Sequence, residues 1–116
     1  MKRRSAEMEK DYPALLAMQK VSWEINFPDR EFYEHLFFTS LSTAVRRGDV
    51  YVYENGGQVV GWLWLDWSTP RVCHIRHIQV QEAHWGQGLG RSILEDAMVL
   101  AAARGRKSLT LNVTKS

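Results

Sequence analysis

A glycine-rich turn between a strand pattern and a helix pattern constrains this fold more than any other feature of the sequence. The turn spans residues 86–91, and residues 86, 88 and 90 are glycines. Apolar and β-branched residues precede the turn in residues 75–80, which predicts a strand. Apolar residues then recur at helical spacing in residues 89–104, which predicts a helix. The chain therefore contains a strand that leads through a tight turn into a helix.

Glycines at the start of a helix allow backbone N–H groups to converge on an anion, because no side chain covers them. The positive end of the helix dipole adds to this attraction. Residues 86–91 therefore suit a phosphate or a pyrophosphate, and a tight turn that binds nothing is the alternative. A dinucleotide-binding loop would need a glycine in place of Arg91, and a Walker loop would need Gly-Lys-Ser or Gly-Lys-Thr. The sequence has neither pattern.

The strand end and the glycine turn together resemble the coenzyme A loop of the GNAT superfamily, whose members are acyl-coenzyme A dependent N-acyltransferases. In that family an apolar strand ending in Val is followed by a short loop and by Arg/Gln-x-x-Gly-x-Gly/Ala at the start of a helix. Here Val80 ends the strand, and Trp85 stands where the family usually has Arg or Gln. The resemblance implies that acetyl-coenzyme A or a related acyl-coenzyme A binds at Ile78, Gln79, Val80, Gly86, Gln87, Gly88, Leu89, Gly90 and Arg91.

Length, composition and charge narrow the class of protein. The chain has 116 residues, of which 45% are hydrophobic and 24% are charged, so we expect one globular domain over residues 1–116. A net charge of +2 with scattered basic residues does not favour nucleic acid. The sequence has no apolar run of membrane-spanning length and no secretory signal, so we expect no membrane partner and a cytoplasmic location.

The cysteine and the histidines do not have the spacing of a metal site, so we expect no metal. Cys73 lies in a strand pattern, where the role of a small apolar residue is expected. We expect His74 to pack within its strand and His84 to pack against the glycine turn.

Periodicity predicts the remaining elements and an α/β (α+β mixed) fold, with a mixed sheet flanked by helices. A short strand fits only in residues 1–6, and helices are predicted over residues 5–23 and 30–47, the second capped by Asp29. Residues 50–54 and 58–67 predict a hairpin whose second strand is apolar on both faces and should be interior to the sheet. A last strand over residues 108–113 should lie parallel to the strand before the turn. The GNAT family has the same order of elements.

The resemblance covers nearly the whole chain, but the chain covers only the first part of the family domain. The family continues with another helix and two strands, whereas this chain ends at Ser116, so we expect a C-terminally incomplete domain. The family's frequent general acid, a Tyr, lies in the part that is absent. Truncation during cloning, proteolysis, a swapped dimer and a naturally reduced domain all stay open, and an unpaired edge strand would allow a homodimer.

The resemblance implies an N-acetyltransferase in which an amine attacks the thioester directly in a ternary complex. Backbone amides at residues 78–80 would hold and polarise the thioester carbonyl. The family often has a Glu four residues before the strand-ending Val, but this position is Arg76. His77 is therefore the candidate catalytic base, and His74 on the same strand could also take the proton. Packing or orientation of an acidic acceptor is the alternative role for these two histidines and for Arg76.

The acceptor would be a small-molecule amine or a protein or peptide amine. By resemblance the two N-terminal helices line the acceptor side of the cleft, so Phe27, Phe32, Tyr33 and His35 are candidates for contact, although apolar residues at helical spacing more often form core. Two other functions stay open. One is a module that binds coenzyme A without turnover, and the other is an interaction domain that pairs through an open sheet edge.

Overall fold

The computed structural model describes residues 1–111, which form a five-stranded sheet and three helices. The elements are β1 Lys2–Ser5, α1 Met8–Asn26, α2 Glu34–Arg47, β2 Val50–Asn55, β3 Gln58–Asp66, β4 Val72–Val80, α3 Leu89–Ala103 and β5 Ser108–Leu111. A short 3-10 turn, Glu82–His84, lies between β4 and the glycine turn. The predicted mixed sheet flanked by helices is confirmed. Within residues 1–111, no helix combines the length and apolar character needed to cross a membrane.

The five strands lie in the sheet in the order in which they occur in the chain. β1 to β4 pair antiparallel with their neighbours, whereas β5 pairs parallel with β4 after the crossover through α3. β3 lies between β2 and β4, as its two apolar faces predict. Gly56 and Gly57, both with positive φ, form the turn between β2 and β3.

Each face of the sheet has its own apolar core. The core under α1 and α2 includes Leu15, Leu41, Trp62 and Trp64. The core under α3 includes Leu63, Leu65, Ile75 and Ile93. The division follows from the alternation of side chains along β3, which directs Trp62 to one face and Leu63 to the other. The central strand therefore anchors helices on both sides.

A β-bulge in β4 adds one residue opposite β3. Trp64 pairs with His77 and Leu65 pairs with Ile75, so Arg76 lies between two consecutive pairs without a partner on β3. In a regular strand, residues 75 and 77 would point to the same face. Because of the extra residue, Ile75 packs in the core under α3 while His77 packs against aromatic rings under α1 and α2.

Two carboxylates bind the N-terminal strand to the rest of the fold. Arg4 donates hydrogen bonds to both carboxylate oxygens of Asp11, at 2.8 and 2.7 Å, and the backbone N–H of Glu7 donates a third at 2.8 Å. Burial raises the pKa of Asp11, but these bonds outweigh it and keep the pKa below its ordinary value. On the other face, Asp96 of α3 accepts hydrogen bonds from Arg3 and from the hydroxyl of Tyr53.

The start of the second helix was predicted too early. α2 begins at Glu34 instead of residue 30, and Asp29 is not its cap, since Tyr33 occupies the cap position with an extended backbone. The backbone N–H of Arg30 donates to the carbonyl of Phe27, and its carbonyl accepts from the indole of Trp23 at 2.9 Å. These bonds hold the segment in a turn. Residues 112–113 of the predicted last strand lie outside the described residues.

Candidate functional site

The glycine turn has a backbone conformation that favours glycine. Gly86 and Gly88 have φ angles of 79° and 78°, and Gly88 is the N-terminal cap of α3. The first N–H groups of the helix therefore lack partners within the helix. A Cβ at either glycine would meet nothing within 4 Å, so the space beside the turn is open. The turn thus combines free helix N–H groups with room for an anion.

Gly90 has a different role from the first two glycines. It lies inside α3, has no positive φ, and a Cβ built on it would lie 3.8 Å from Cγ2 of Val80, which is an ordinary contact. The structure therefore does not require a glycine at residue 90, and alanine would also fit there.

Trp85 connects the glycine turn to the end of β4. Its indole N–H donates a hydrogen bond of 2.7 Å to the carbonyl of Val80, and 49% of the residue is exposed. The usual Arg or Gln of the family pattern is thus replaced by a side chain that bonds to the protein's own backbone. Sequence reasoning identified the substitution but not this bond, which joins residues on either side of the 3-10 turn.

The backbone of β4 presents alternate residues away from β3. The N–H of Gln81 donates to the carbonyl of Val60 at 2.8 Å, which marks residue 81 as one of the residues bonded to β3. Because bonded and non-bonded residues alternate in an antiparallel pair, the backbone groups of Ile78 and Val80 point away from β3. The bond from Trp85 to the Val80 carbonyl agrees with this direction.

A cleft of about 1140 Å³ lies between α1, the end of β4 and the glycine turn. This volume is slightly above the range of ~300–1,000 Å³ typical of small-molecule sites. Of the residues predicted as site residues, the cleft is lined by His77, Ile78, Gln79, Val80, Gly86, Gly88, Leu89 and Gly90. The structure therefore brings together two segments that the sequence linked only through a motif.

Gln87 and Arg91 do not line this cleft. The side-chain oxygen of Gln87 lies 3.3 Å from Nδ1 of His84, so His84 contacts the turn as expected. Arg91 is exposed, and its Nε lies 3.9 Å from the carboxylate of Glu95 one helical turn later. In this arrangement the side chain of Arg91 lies beside Glu95 on the exposed surface of α3.

Gln79 binds α1 to the sheet through its side chain. Its amide oxygen accepts a 2.7 Å hydrogen bond from the indole of Trp62, and its amide nitrogen donates a 2.7 Å hydrogen bond to Gln19 of α1. Gln19 is buried. Each partner would be left unsatisfied without Gln79, so this side chain fixes the wall of the cleft.

His77 lies on the floor of the cleft in an aromatic environment. Its ring stacks on Trp62 and Trp64, at centroid distances of 5.3 and 5.2 Å, and meets the edge of Phe37 at 6.4 Å. Burial, together with the adjacent charge of Arg76, lowers its pKa to about 4. The imidazole is therefore neutral near pH 7 and offers a nitrogen lone pair, but it is a weak base.

One wall of the cleft is formed by α1, which sequence reasoning did not identify in detail. Its lining residues there include Ala14, Ala17, Met18, Val21, Ser22, Ile25 and Asn26. The sequence does contain a signal for this wall, because two small residues three positions apart, 14 and 17, lie beside the core residues 15 and 18. Among the described residues, Oδ1 of Asn26 and Oε1 of Gln81 are buried without a hydrogen-bond partner, and both residues line the cleft.

The four residues expected near the acceptor have different positions. Phe27 lines the cleft. Phe32 packs between Trp23 and Phe37, whereas Tyr33 and His35 are exposed and do not line it. The candidate acceptor surface is therefore formed by the end of α1 rather than by the start of α2.

The other histidines and the cysteine have structural positions. Nδ1 of His74 lies 2.8 Å from the hydroxyl of Thr110, which joins β4 to β5. Cys73 is fully buried under α3, and burial raises the pKa of its thiol. In the part of the chain that is described, no three His, Cys, Asp or Glu side chains group as metal ligands.

The family model that matches this chain is described as the acetyltransferase (GNAT) family, and the match covers residues 12–116. The matched part contains the whole cleft lining, including α1 from Ala14 onward, β4 and the glycine turn.

Several solved structures have a similar fold. Rv2747 from Mycobacterium tuberculosis, solved in complex with CoA, gives a TM-score of 0.76 at 21% identity over 96% of this chain and 63% of its own. Ribosomal-protein-alanine N-acetyltransferase from Brucella melitensis gives 0.72 at 26% identity over 90% of this chain and 69% of its own. A protein from Clostridium acetobutylicum is described as a predicted acetyltransferase and was solved with acetyl-CoA. It gives a TM-score of 0.78 at 14% identity over 98% of this chain and 81% of its own. This chain thus spans about 63% of the length of Rv2747.

Proposed function

The chain belongs to the acetyltransferase (GNAT) family, and on this premise we propose that it transfers an acetyl group from acetyl-coenzyme A to a primary amine in a ternary complex. The observation that carries this proposal is the meeting of two features at one cleft. The glycine turn opens α3 beside it, and the backbone groups of Ile78 and Val80 point away from β3 toward it.

The residues of the cleft fit the chemistry of coenzyme A. Its pyrophosphate would bind the N–H groups that follow Gly86 and Gly88, beside the open space into which a Cβ at either glycine would extend. The arm that follows the pyrophosphate contains amide groups, which would pair with the outward backbone groups of Ile78 and with the N–H of Val80, whose carbonyl already accepts the indole of Trp85.

The transfer requires one bond to form and one to break. The backbone N–H of Ile78 would donate to the thioester oxygen and stabilise the negative charge that develops there as the amine attacks. The new amide C–N bond forms and the C–S bond breaks. The attacking nitrogen loses one proton and the departing thiolate gains one, so the overall transfer neither consumes nor releases a proton. In this scheme α1 and β4 hold both reactants close together, which removes much of the entropic barrier.

His77 is the proposed catalytic side chain, in a role limited by its pKa. A base with a pKa of about 4 removes few protons from an ammonium group at neutral pH. We therefore propose that its neutral imidazole accepts a hydrogen bond from the attacking amine and orients it, while the amine loses its first proton to water. The neighbouring aromatic rings keep the imidazole neutral by excluding water.

A module that binds coenzyme A without turnover is the second candidate function. Two observations favour it, namely Arg76 in the position of the family's usual Glu and the low pKa of His77. A third hypothesis is an interaction domain that pairs through the sheet edge at β5. Light scattering of the purified chain would test whether the chain forms a dimer.

Titration calorimetry with acetyl-coenzyme A, followed by a turnover assay, separates these functions. Thiol release is measured with a panel of small amines and with peptides that begin with alanine, since the Brucella relative is described as acting on ribosomal-protein alanine. Saturable binding with thiol release supports the enzyme. Binding without release for any amine supports the binding module, and the absence of binding by the folded chain excludes both.

A further inference from the structure

Arg76 occupies a special position on the cleft wall. It is the extra residue of the β4 bulge and lies two residues before Ile78, where the thioester carbonyl would be held. Apart from the histidines, the ionisable residues that line the cleft within residues 1–111 are Arg76 and Glu82. The wall of the cleft on β4 therefore carries a positive charge beside the proposed reaction centre.

The aromatic platform beneath Arg76 holds its guanidinium group. The guanidinium carbon lies 4.4 Å from the ring centre of Trp64, which is buried and also stacks on His77. An arginine stacked on an aromatic ring keeps its in-plane N–H groups free to bind a carboxylate with two hydrogen bonds. The group is thus oriented before any ligand arrives.

Arg76 has no carboxylate within 4.0 Å among the described residues, unlike Arg3 and Arg4, which are both ion-paired. One carboxylate whose pKa responds to the charge of Arg76 is that of Asp66. It accepts a hydrogen bond from the backbone N–H of Ser68 at 2.9 Å. The hydrogen bonds from Ser68, and to a smaller extent the charges of His74 and Arg76, lower the pKa of Asp66. The charge of Arg76 therefore affects the pKa of Asp66, but the two side chains form no ion pair within 4.0 Å.

We propose that Arg76 binds a carboxylate of the acceptor, so that the acceptors are small amines that carry a carboxylate, such as amino acids. This inference rests on the proposed acetyltransferase function. At a strand rise of ~3.3 Å per residue, Arg76 lies about 7 Å along β4 from Ile78. An amine with a carboxylate a few bonds away spans this distance together with the arginine side chain. Arg76 is exposed, so a ligand in the cleft can reach its guanidinium, and a bidentate contact between a guanidinium and a carboxylate is stronger than a neutral hydrogen bond.

Matched pairs of acceptors test this assignment, with glycine against glycinamide and L-glutamate against L-glutamine. Thiol release gives kcat/KM for the wild type and for Arg76→Gln, Arg76→Lys and Arg46→Gln. Arg46 is an exposed residue in the last turn of α2 and serves as the charge-matched control. Comparing variants for each acceptor cancels the intrinsic reactivity of the amines. Calorimetry with acetyl-coenzyme A accompanies every variant.

We expect Arg76→Gln to lower kcat/KM for an acid in at least one pair by about tenfold or more, and for its carboxamide by less than about twofold. The kcat/KM of Arg76→Lys for the acid should lie between those of the wild type and Arg76→Gln, since lysine keeps the charge but lacks the planar guanidinium that binds a carboxylate with two hydrogen bonds. The affinity for acetyl-coenzyme A and the rates of Arg46→Gln should stay at wild-type values. Equal losses for acid and carboxamide, or no turnover of either although acetyl-coenzyme A binds, would overturn the inference. Failure of the wild type to bind acetyl-coenzyme A would instead remove the proposed function itself.

Discussion

The indole N–H of Trp85 donates a hydrogen bond of 2.7 Å to the carbonyl of Val80, and this bond closes the segment that joins β4 to the glycine turn. Within the closed segment, the 3-10 turn Glu82–His84 adds a bond from the N–H of His84 to the carbonyl of Gln81. The side chain of Trp85 therefore helps to fix the position of the glycine turn relative to the strand end.

Trp85→Phe should weaken acetyl-coenzyme A binding about three- to tenfold. The ring is kept, but the loss of one hydrogen bond allows the turn to move away from β4 before binding. Titration calorimetry measures the change. Trp67→Phe is the matched control, because the indole nitrogen of Trp67 has no hydrogen-bond partner among the described residues and lies outside the cleft. Equal affinity in both variants and the wild type would exclude a positioning role for Trp85.

Gly88→Asp should abolish coenzyme binding, because a carboxylate beside the helix N-terminus repels the pyrophosphate. Gly88→Ala should have a smaller effect, since it adds only the strain of a positive φ, about 1 kcal/mol. Gly90→Ala is the control, because its Cβ makes only an ordinary contact with Val80. Calorimetry on folded variants, checked by circular dichroism, gives the affinities. Wild-type affinity in Gly88→Asp would rule out an anion site at this turn.

Folding stability should fall with acidification because of His77. Its pKa is about 4 in the folded protein and 6.5 in the unfolded chain, so the neutral form is favoured by folding. The stabilisation is complete above pH 6.5 and is lost as the pH falls toward 4, by about 3 kcal/mol in total. Urea unfolding at several pH values measures this slope. His77→Phe should flatten it, whereas His35→Gln, at an exposed position of α2, should not. An identical slope in His77→Phe would contradict the assignment.

Gly61→Ala should destabilise the fold by about 1–3 kcal/mol, because the new Cβ would lie 2.7 Å from Cδ1 of Ile93 and 3.0 Å from the carbonyl of Gln79. Adding Ile93→Val removes the nearer atom and should recover part of the loss. A double-mutant cycle by urea unfolding gives the coupling between the two sites. If the two losses simply add, the contact does not limit how closely α3 packs on β3.

The local parts of the fold could be predicted because they depend on neighbouring residues. The strand before the turn, the turn itself and α3 follow from periodicity and from the backbone freedom of Gly86 and Gly88. The start of α2 could not be predicted in the same way. It depends on a bond from the indole of Trp23 to the carbonyl of Arg30, and this contact requires the packed helices.

The candidate site was predictable only as far as its motif extends. The sequence identifies His77 as a histidine on a strand, but its pKa depends on rings from β3 and α2 that lie far away in the chain. The position of Arg76 as the extra residue of a bulge could not be predicted either, because a bulge is a property of the register between two strands. The residues of α1 that form the opposite wall belong to no motif at all.

Each strand pairs with the next one along the chain, so the sheet can grow in the order of synthesis. The first five elements, from β1 to β3, already contain the core that includes Leu15, Leu41 and Trp62. β4, the glycine turn and α3 leave the ribosome afterwards and add to a sheet edge that is already in place. A nascent chain interrupted before β4 would therefore already contain every buried residue of the core under α1 and α2, and would lack both β4 and the glycine turn that complete the cleft.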